Sequence, residues 1–264
     1  MKVGVVQYAA GFDKAENVAR LRRLAERAAA DGAELVVTPE GAMHDFGPPD
    51  LALAPFAEPL DGRFVTGLAE IAAAQRITVV AGMFEAVADD PARAYNTVVA
   101  VGPDGLIGSY RKQHLFDALG WVESDRLVGG EPADRLVFGC GDVTVGVMTC
   151  YDIRFPELGR ALADDGATLL AVPSAWVAGP RKPEQFRALA TARAIENVCY
   201  VAGAVQTPPD YTGESCVIEP FGEVLASLGT DEGYAVAEVN PRRVEECRSR
   251  MPSLTHRRWQ VTPR

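Results

Sequence analysis

Histidine and lysine are scarce in this chain, and long apolar runs are missing. Only His44, His114 and His256 serve its 264 residues. None is spaced i, i+4 from another or set beside a cysteine pair, so no histidine-built metal site is expected. No stretch approaches the ~18 uninterrupted apolar residues of a membrane helix, which predicts no membrane partner. The first residues, Met1-Lys2-Val3-Gly4-Val5-Val6-Gln7, run directly into a strand-like segment. They carry no apolar leader core and no small-residue cleavage site, which predicts no secretory signal. Phosphate loops are lacking too. There is no Gly-Lys-Ser/Thr, and Gly139-Cys140-Gly141 is followed by Thr144 where a dinucleotide fingerprint needs its third glycine.

Positive charge is in deficit. Lys and Arg number 26 against 36 Asp and Glu, a formal net charge of −10. A non-specific nucleic-acid binder needs a basic footprint, so that class is disfavoured. Five cysteines (Cys140, Cys150, Cys199, Cys216, Cys247) form an odd set. Without a secretory signal they read as free thiols in a reducing cytoplasm. No metal or organic cofactor is implied.

What is present is an ordinary globular composition, 48% hydrophobic and 23% charged. Apolar β-branched runs alternate with helical patterns. Val3–Val6 reads as a buried strand. Asp13-x-x-Glu16 resembles a capping box, after which Val18, Leu21, Leu24, Ala25 and Ala28 recur at helical spacing. Asp31-Gly32 ends that helix and residues 35–37 make the next strand. A helix is expected over 61–76, with strands at 77–81, 97–101 and 107–110 and a Pro103-Asp104-Gly105 turn between the last two. The second half repeats the alternation. Strands at 143–148 and 168–172 flank a helix beginning near Phe155, 183–197 is helical, and strands follow at 199–205, 216–219, 224–227 and 234–239. This predicts α/β layers in one domain over 1–250. The basic tail, 251–264, is expected to dock on the body or on a dimer partner, or else to fray.

Three segments place a reactive side chain just after a strand. Glu40 follows Leu35-Val36-Val37-Thr38-Pro39. It is either a cap on a surface turn or a partly buried general base. Lys112 follows Gly108-Ser109-Tyr110-Arg111 and is one of only four lysines, beside Lys2, Lys14 and Lys182. A lysine next to an arginine hints that an ammonium was needed there, although a surface lysine ending a strand fits equally. Cys150 leaves the strand ending at Met148-Thr149, and a helix starts within a few residues. That is a nucleophile-elbow pattern, in which a helix N-terminus and a nearby lysine would lower the thiol pKa. Cys199 and Cys216, in apolar strands, read as structural.

In this order and with these flanks, Pro39-Glu40, Tyr110-Arg111-Lys112-Gln113-His114-Leu115-Phe116 and Thr149-Cys150-Tyr151-Asp152-Ile153-Arg154-Phe155-Pro156-Glu157 resemble the Glu-Lys-Cys signature of the nitrilase superfamily, the carbon–nitrogen hydrolases. The likeness extends from Val3 to Val224. It implies a four-layer α-β-β-α sandwich that forms a homodimer or higher homo-oligomer. It also implies a cysteine-dependent amidase in which Glu40 is the base, Cys150 the nucleophile, and Lys112 with the Tyr151 N–H the oxyanion donors. A thioester acyl-enzyme and release of ammonia follow from those roles. Glu123, in Trp121-Val122-Glu123-Ser124, matches a second glutamate that positions substrate or lysine. The flanks look closest to omega-amidases and deaminated-glutathione amidases, which act on short carboxylate-bearing amides. Arg154 and Arg181 are candidates for the carboxylate, and Trp176 for an aromatic wall. Arg154 has a competing role as an ion-pair partner for Glu157. Alternatives on the same fold are an N-carbamoyl amino acid hydrolase and a non-catalytic ligand-binding member.

Overall fold

The structure is a computed structural model and describes residues 1–263. Two sheets carry the chain. In the first, β1 (Lys2–Gln7), β2 (Leu35–Val37) and β3 (Thr78–Ala86) run parallel, followed by antiparallel β4 (Ala94–Gly102) and β5 (Gly105–Arg111). A short β6 (Leu127–Val128) also pairs with β4. In the second, β7 (Val137–Cys140) pairs antiparallel with β8 (Val143–Val147), and β9 (Leu169–Ser174) and β10 (Tyr200–Val205) continue in parallel. Antiparallel β11 (Cys216–Ile218) and β12 (Val224–Ser227) complete that sheet. The last strand, β13 (Gly233–Glu238), returns to the first sheet beside β1.

Helices α1 (Lys14–Ala30) and α2 (Arg63–Gln75) cover the first sheet, and α3 (Pro156–Asp164) and α4 (Lys182–Asn197) cover the second. The result is the four-layer α-β-β-α order. Strand period 2 divides the core accordingly. Val3, Val5, Leu35, Val37 and Val80 point into the space between the sheets. Their neighbours Val6, Val36 and Val79 join Leu21, Leu24 and Leu68 under α1 and α2. Strands covered on both faces read as continuous apolar runs, which is why the sequence shows them without alternation.

Several boundaries differ from expectation for physical reasons. Strands β3 and β4 are each longer than the apolar runs that announce them, because polar residues inside them are paired. Glu85 takes Arg111 and Thr97 as partners, and Asn96 bonds to Glu40. Helix α2 begins at Arg63 behind Gly62, without a side-chain cap, rather than at Asp61. Asp13 caps α1 by accepting from the N–H groups of Ala15 and Glu16, the capping half of the expected box. A 3-10 turn, Cys150–Arg154, precedes α3. Helix α5 (Pro241–Arg250) buries Val244 and Cys247, and beyond it the described residues form no helix or strand. Arg257 in this tail pairs with Asp164 of α3 at 2.6 Å, while Trp259 is exposed. No helix among the described residues is long and apolar enough to cross a membrane.

Candidate active site

The parallel strands of both sheets end on the same side of the sandwich, and the segments leaving them build one cavity. Pro39 cannot continue the β2 ladder, so the chain turns and buries Glu40 at 1% exposure. Gly82 in β3 makes room for that turn. A Cβ there would lie 2.6 Å from the Gly41 nitrogen and 2.8 Å from the Glu40 Cα. Glu40 Oε1 accepts from Asn96 Nδ2 at 2.7 Å and Lys112 Nζ at 2.9 Å; Oε2 accepts from the Ala175 N–H at 2.7 Å. The Gln206 amide, just past β10, donates to the Glu40 carbonyl at 2.9 Å. The first three contacts fix the carboxylate's orientation, and the Gln206 bond holds the backbone that carries it.

Lys112 lies one residue beyond β5 and is also buried. Its ammonium bridges Glu40 and both oxygens of Glu123, at 3.0 and 2.9 Å. Burial works against that charge, but the Glu123 and Glu40 carboxylates outweigh it and hold its pKa well above the ordinary lysine value. Glu123 opens a 3-10 turn and accepts from the Phe116 N–H at 2.6 Å. Burial raises the Glu123 pKa against the pull of Lys112. Of the two partners that the sequence suggests for Glu123, substrate or lysine, the contact on view is with Lys112.

Cys150 opens its turn with φ +46, a left-handed conformation that a non-glycine residue adopts only when its surroundings enforce it. Asp152 supplies the enforcement. Its carboxylate accepts from the Thr149 N–H at 3.0 Å, the His114 N–H at 3.1 Å and the Tyr110 hydroxyl at 2.7 Å. The expectation of a lowered thiol pKa is overturned: burial, and then the adjacent Glu40 carboxylate, push Cys150 well above the ordinary range. Lys112 opposes them without prevailing, because it already neutralises two carboxylates. Among the five free cysteines, Cys150 lines the cavity, while Cys199 and Cys216 are fully buried, with pKa values pushed up to about 12 and about 11.

The cavity brings together Glu40, Lys112, Glu123, Cys150, Tyr151 and Trp176. Trp176 lines the cavity, and its ring also packs on Phe186 of α4. The two arginines do not join this group. Arg154 faces an outer vestibule and bonds to Gln185 at 2.8 Å, and not to Glu157. Arg181, the left-handed residue before α4, is exposed and lines neither space.

Three further wall residues escaped the sequence reading. Arg126 donates to the carbonyls of Phe46, Pro48 and Leu51, holding the loop that closes one side. Tyr211 bonds to Asp45 at 3.2 Å. Lys182 starts α4 and enters the cavity. A signal for Lys182 existed: like Lys112, it is a rare lysine directly after an arginine. Among the described residues no cluster of three or more His, Cys, Asp or Glu is arranged to hold a metal ion.

Comparison with known proteins agrees with this geometry. The carbon-nitrogen hydrolase family matches residues 2–249. A hydrolase of Mycobacterium tuberculosis is 39% identical over 272 residues, covering 96% of this chain and 94% of that protein. The deaminated glutathione amidase of Escherichia coli O157:H7 is 34% identical over 260 residues, 98% of each chain. Among solved structures, Saccharomyces cerevisiae Nit3, of branch 10 of the nitrilase superfamily, superposes with a TM-score of 0.85 at 30% identity, covering 98% of this chain and 97% of that one. A match over nearly the whole chain, with Glu40, Lys112 and Cys150 meeting in one cavity, places this protein in the carbon–nitrogen hydrolase family, within the nitrilase superfamily.

Proposed function

We propose that the protein is a cysteine-dependent amidase that hydrolyses a small, carboxylate-bearing amide to an acid and ammonia. The observation that carries this reading is the Lys112 ammonium held between Glu40 and Glu123, in one cavity with a cysteine on a strained turn. The E. coli relative named as an amidase supports the bond type. Glu40 takes the proton of the Cys150 thiol, which otherwise stays protonated near neutral pH, and the sulfur attacks the amide carbonyl carbon. Lys112 and the Tyr151 N–H, in the first turn after the cysteine, stabilise the oxyanion, each well-placed donor contributing about 3 kcal/mol. Glu40 then passes its proton to the nitrogen, the carbon–nitrogen bond breaks, and ammonia leaves behind a Cys150 thioester. Water gives a proton to Glu40 and attacks that thioester; the acid departs and the thiol is restored.

Glu123 holds Lys112 in place and offsets its charge, leaving Glu40 free for proton transfer. In the same reading the protein works in the cytoplasm as a homodimer, for which the free cysteines and the family resemblance speak; light scattering on the purified protein tests the assembly. Ammonia release from a panel of short amides, nitriles and N-carbamoyl amino acids, run beside Cys150→Ala, tests the reaction. Release from amides that vanishes in the variant is the expected result. Release chiefly from N-carbamoyl acids moves the assignment to a carbamoylase, and release that survives in Cys150→Ala refutes it.

A further inference from the structure

Among the described residues, three cavity-lining side chains are cationic, and two of them already hold protein acceptors, although the buried Arg126 Nε has no partner. Lys112 has two carboxylates and Arg126 has three carbonyls. Lys182 is different. The residue is 6% exposed, and no acceptor among the described residues lies within hydrogen-bonding or ion-pair distance of its Nζ. Its nearest neighbours are aromatic, with the Trp176 ring centre at 4.6 Å and that of Phe116 at 5.5 Å, and the Arg154 guanidinium lies over the same Trp176 ring at 4.9 Å. The backbone is fixed as well, because Trp176 Nε1 donates to the Lys182 carbonyl at 2.9 Å. The ring that faces the charge therefore also anchors the residue that bears it.

Aromatic faces stabilise a cation through their quadrupole, but they leave its three N–H donors unfilled. The ammonium opens onto the cavity, so its free donors are available to an incoming anion. Lys182 lines both the inner cavity and the outer vestibule, so an anion can reach it.

We propose that Lys182 is the specificity-determining cation of this site and receives the carboxylate of a short amide whose acid group lies at the end opposite the scissile carbonyl. The inference rests on the amidase reading and names the residue that selects the substrate. It replaces Arg154, which bonds to Gln185, and Arg181, which is exposed and lines neither space. Charge orients the molecule. The Glu40 and Glu123 carboxylates repel an acid group from the cysteine end, so the acid turns to Lys182 and the neutral amide to Cys150. Hydrolysis then creates a second carboxylate beside Glu40, where the same repulsion favours release.

The test compares succinamate and glutaramate with their uncharged counterparts butanamide and pentanamide in wild type, Lys182→Met and Lys182→Arg. The quantity read is the ratio of kcat/KM for the acid-bearing amide over the uncharged one. Losing a charged hydrogen-bond partner should lower this ratio by roughly 10- to 100-fold in Lys182→Met. In Lys182→Arg it should stay within about threefold, since the charge is kept. A second measurement needs no turnover: the rate of Cys150 carboxymethylation by iodoacetate relative to iodoacetamide, located by peptide mass spectrometry. That ratio should also fall about tenfold in Lys182→Met, or in Lys182→Gln if the methionine variant does not fold. Unchanged ratios in the truncated variants overturn the role of Lys182. The amidase reading fails separately, by ammonia release that persists in Cys150→Ala.

Discussion

The Tyr110 hydroxyl donates to the Asp152 carboxylate at 2.7 Å, and this bond ties the two sheets together at the active site. Tyr110 stands two residues before Lys112 at the end of β5, and Asp152 stands two residues after Cys150 in the turn beyond β8. The same carboxylate accepts from the N–H groups of His114 and Thr149. One buried acid thus sets the spacing between the lysine and the cysteine. Its partners come from both sides, so losing one leaves the others strained rather than free.

Tyr110→Phe should lower stability by about 1–2 kcal/mol, the usual effect of removing one partner of a buried hydrogen bond to a charge. For a chain of this size that is roughly a 2–8 °C fall in Tm. Asp152→Asn should do more, because its amide N–H2 faces donors it cannot serve. Thermal unfolding beside steady-state kinetics checks both, and the expected pattern is a fall in kcat with a smaller change in KM. Wild-type kcat in a folded Asp152→Asn protein would show that the cysteine turn holds itself.

Glu40→Gln should separate thiolate content from turnover. The Glu40 carboxylate is, after burial, the largest influence raising the Cys150 pKa. Removing its charge should lower that pKa and increase the thiolate fraction between pH 7 and 9, read as absorbance near 240 nm. Ammonia release should nevertheless fall by about 10²- to 10⁴-fold, because the proton carrier is gone. A fall in thiolate content alongside turnover would contradict a Glu40 charge that raises the Cys150 pKa.

Glu123→Gln carries a pH signature. The folded protein holds the Glu123 proton more tightly than the unfolded chain, whose value is near 4.5. Its contribution to stability is therefore fully present below pH 4.5 and is lost as pH rises through the folded value. Relative to wild type, Glu123→Gln should thus look more favourable at pH 7 than at pH 4. Lys112 runs in the matching sense at the alkaline end: its stabilisation persists below the ordinary lysine value of 10.5 and is lost only above it. Chemical denaturation at several pH values reads both, and a Glu123→Gln difference of opposite slope would overturn the assignment.

Gly82→Ala should disable the site from behind. The added Cβ would press on Gly41 and on the backbone of Glu40, at separations that real contacts do not tolerate. Overpacking of this kind costs about 1–3 kcal/mol and should shift Glu40 enough to reduce kcat. Gly139→Ala is the control, since nothing lies within 4 Å of its added Cβ. Equal activity in the two variants would contradict the close approach.

The candidate residues Glu40, Lys112 and Cys150 were legible because each follows a run whose meaning is plain. Leu35–Val37 must be a buried strand, Pro39 must end it, and a carboxylate placed there needs a reason. The layers were legible from the same runs. Less visible was anything defined by partners distant in sequence. Asn96 reads as a strand-breaking polar residue until Glu40, 56 positions away, is seen to bond with it. The Cys150 pKa reverses direction because burial, and then the Glu40 carboxylate from another segment, outweigh the lysine that the local pattern suggested. Arg154 and Arg181 were attractive for their charge alone, whereas Lys182 is set apart by what does not touch it. Spacing along a chain reports a side chain's type and face, not whether another group has already claimed its charge.

The most direct measurement is intact-protein mass spectrometry of enzyme quenched in acid during turnover of an acid-bearing amide, followed by peptide mapping. The expected result is an adduct equal to the substrate minus ammonia, confined to the peptide that contains Cys150 and missing in Cys150→Ala together with ammonia release. Steady ammonia release from the Cys150→Ala protein, or an acyl group mapped to another residue, would contradict catalysis through a Cys150 thioester.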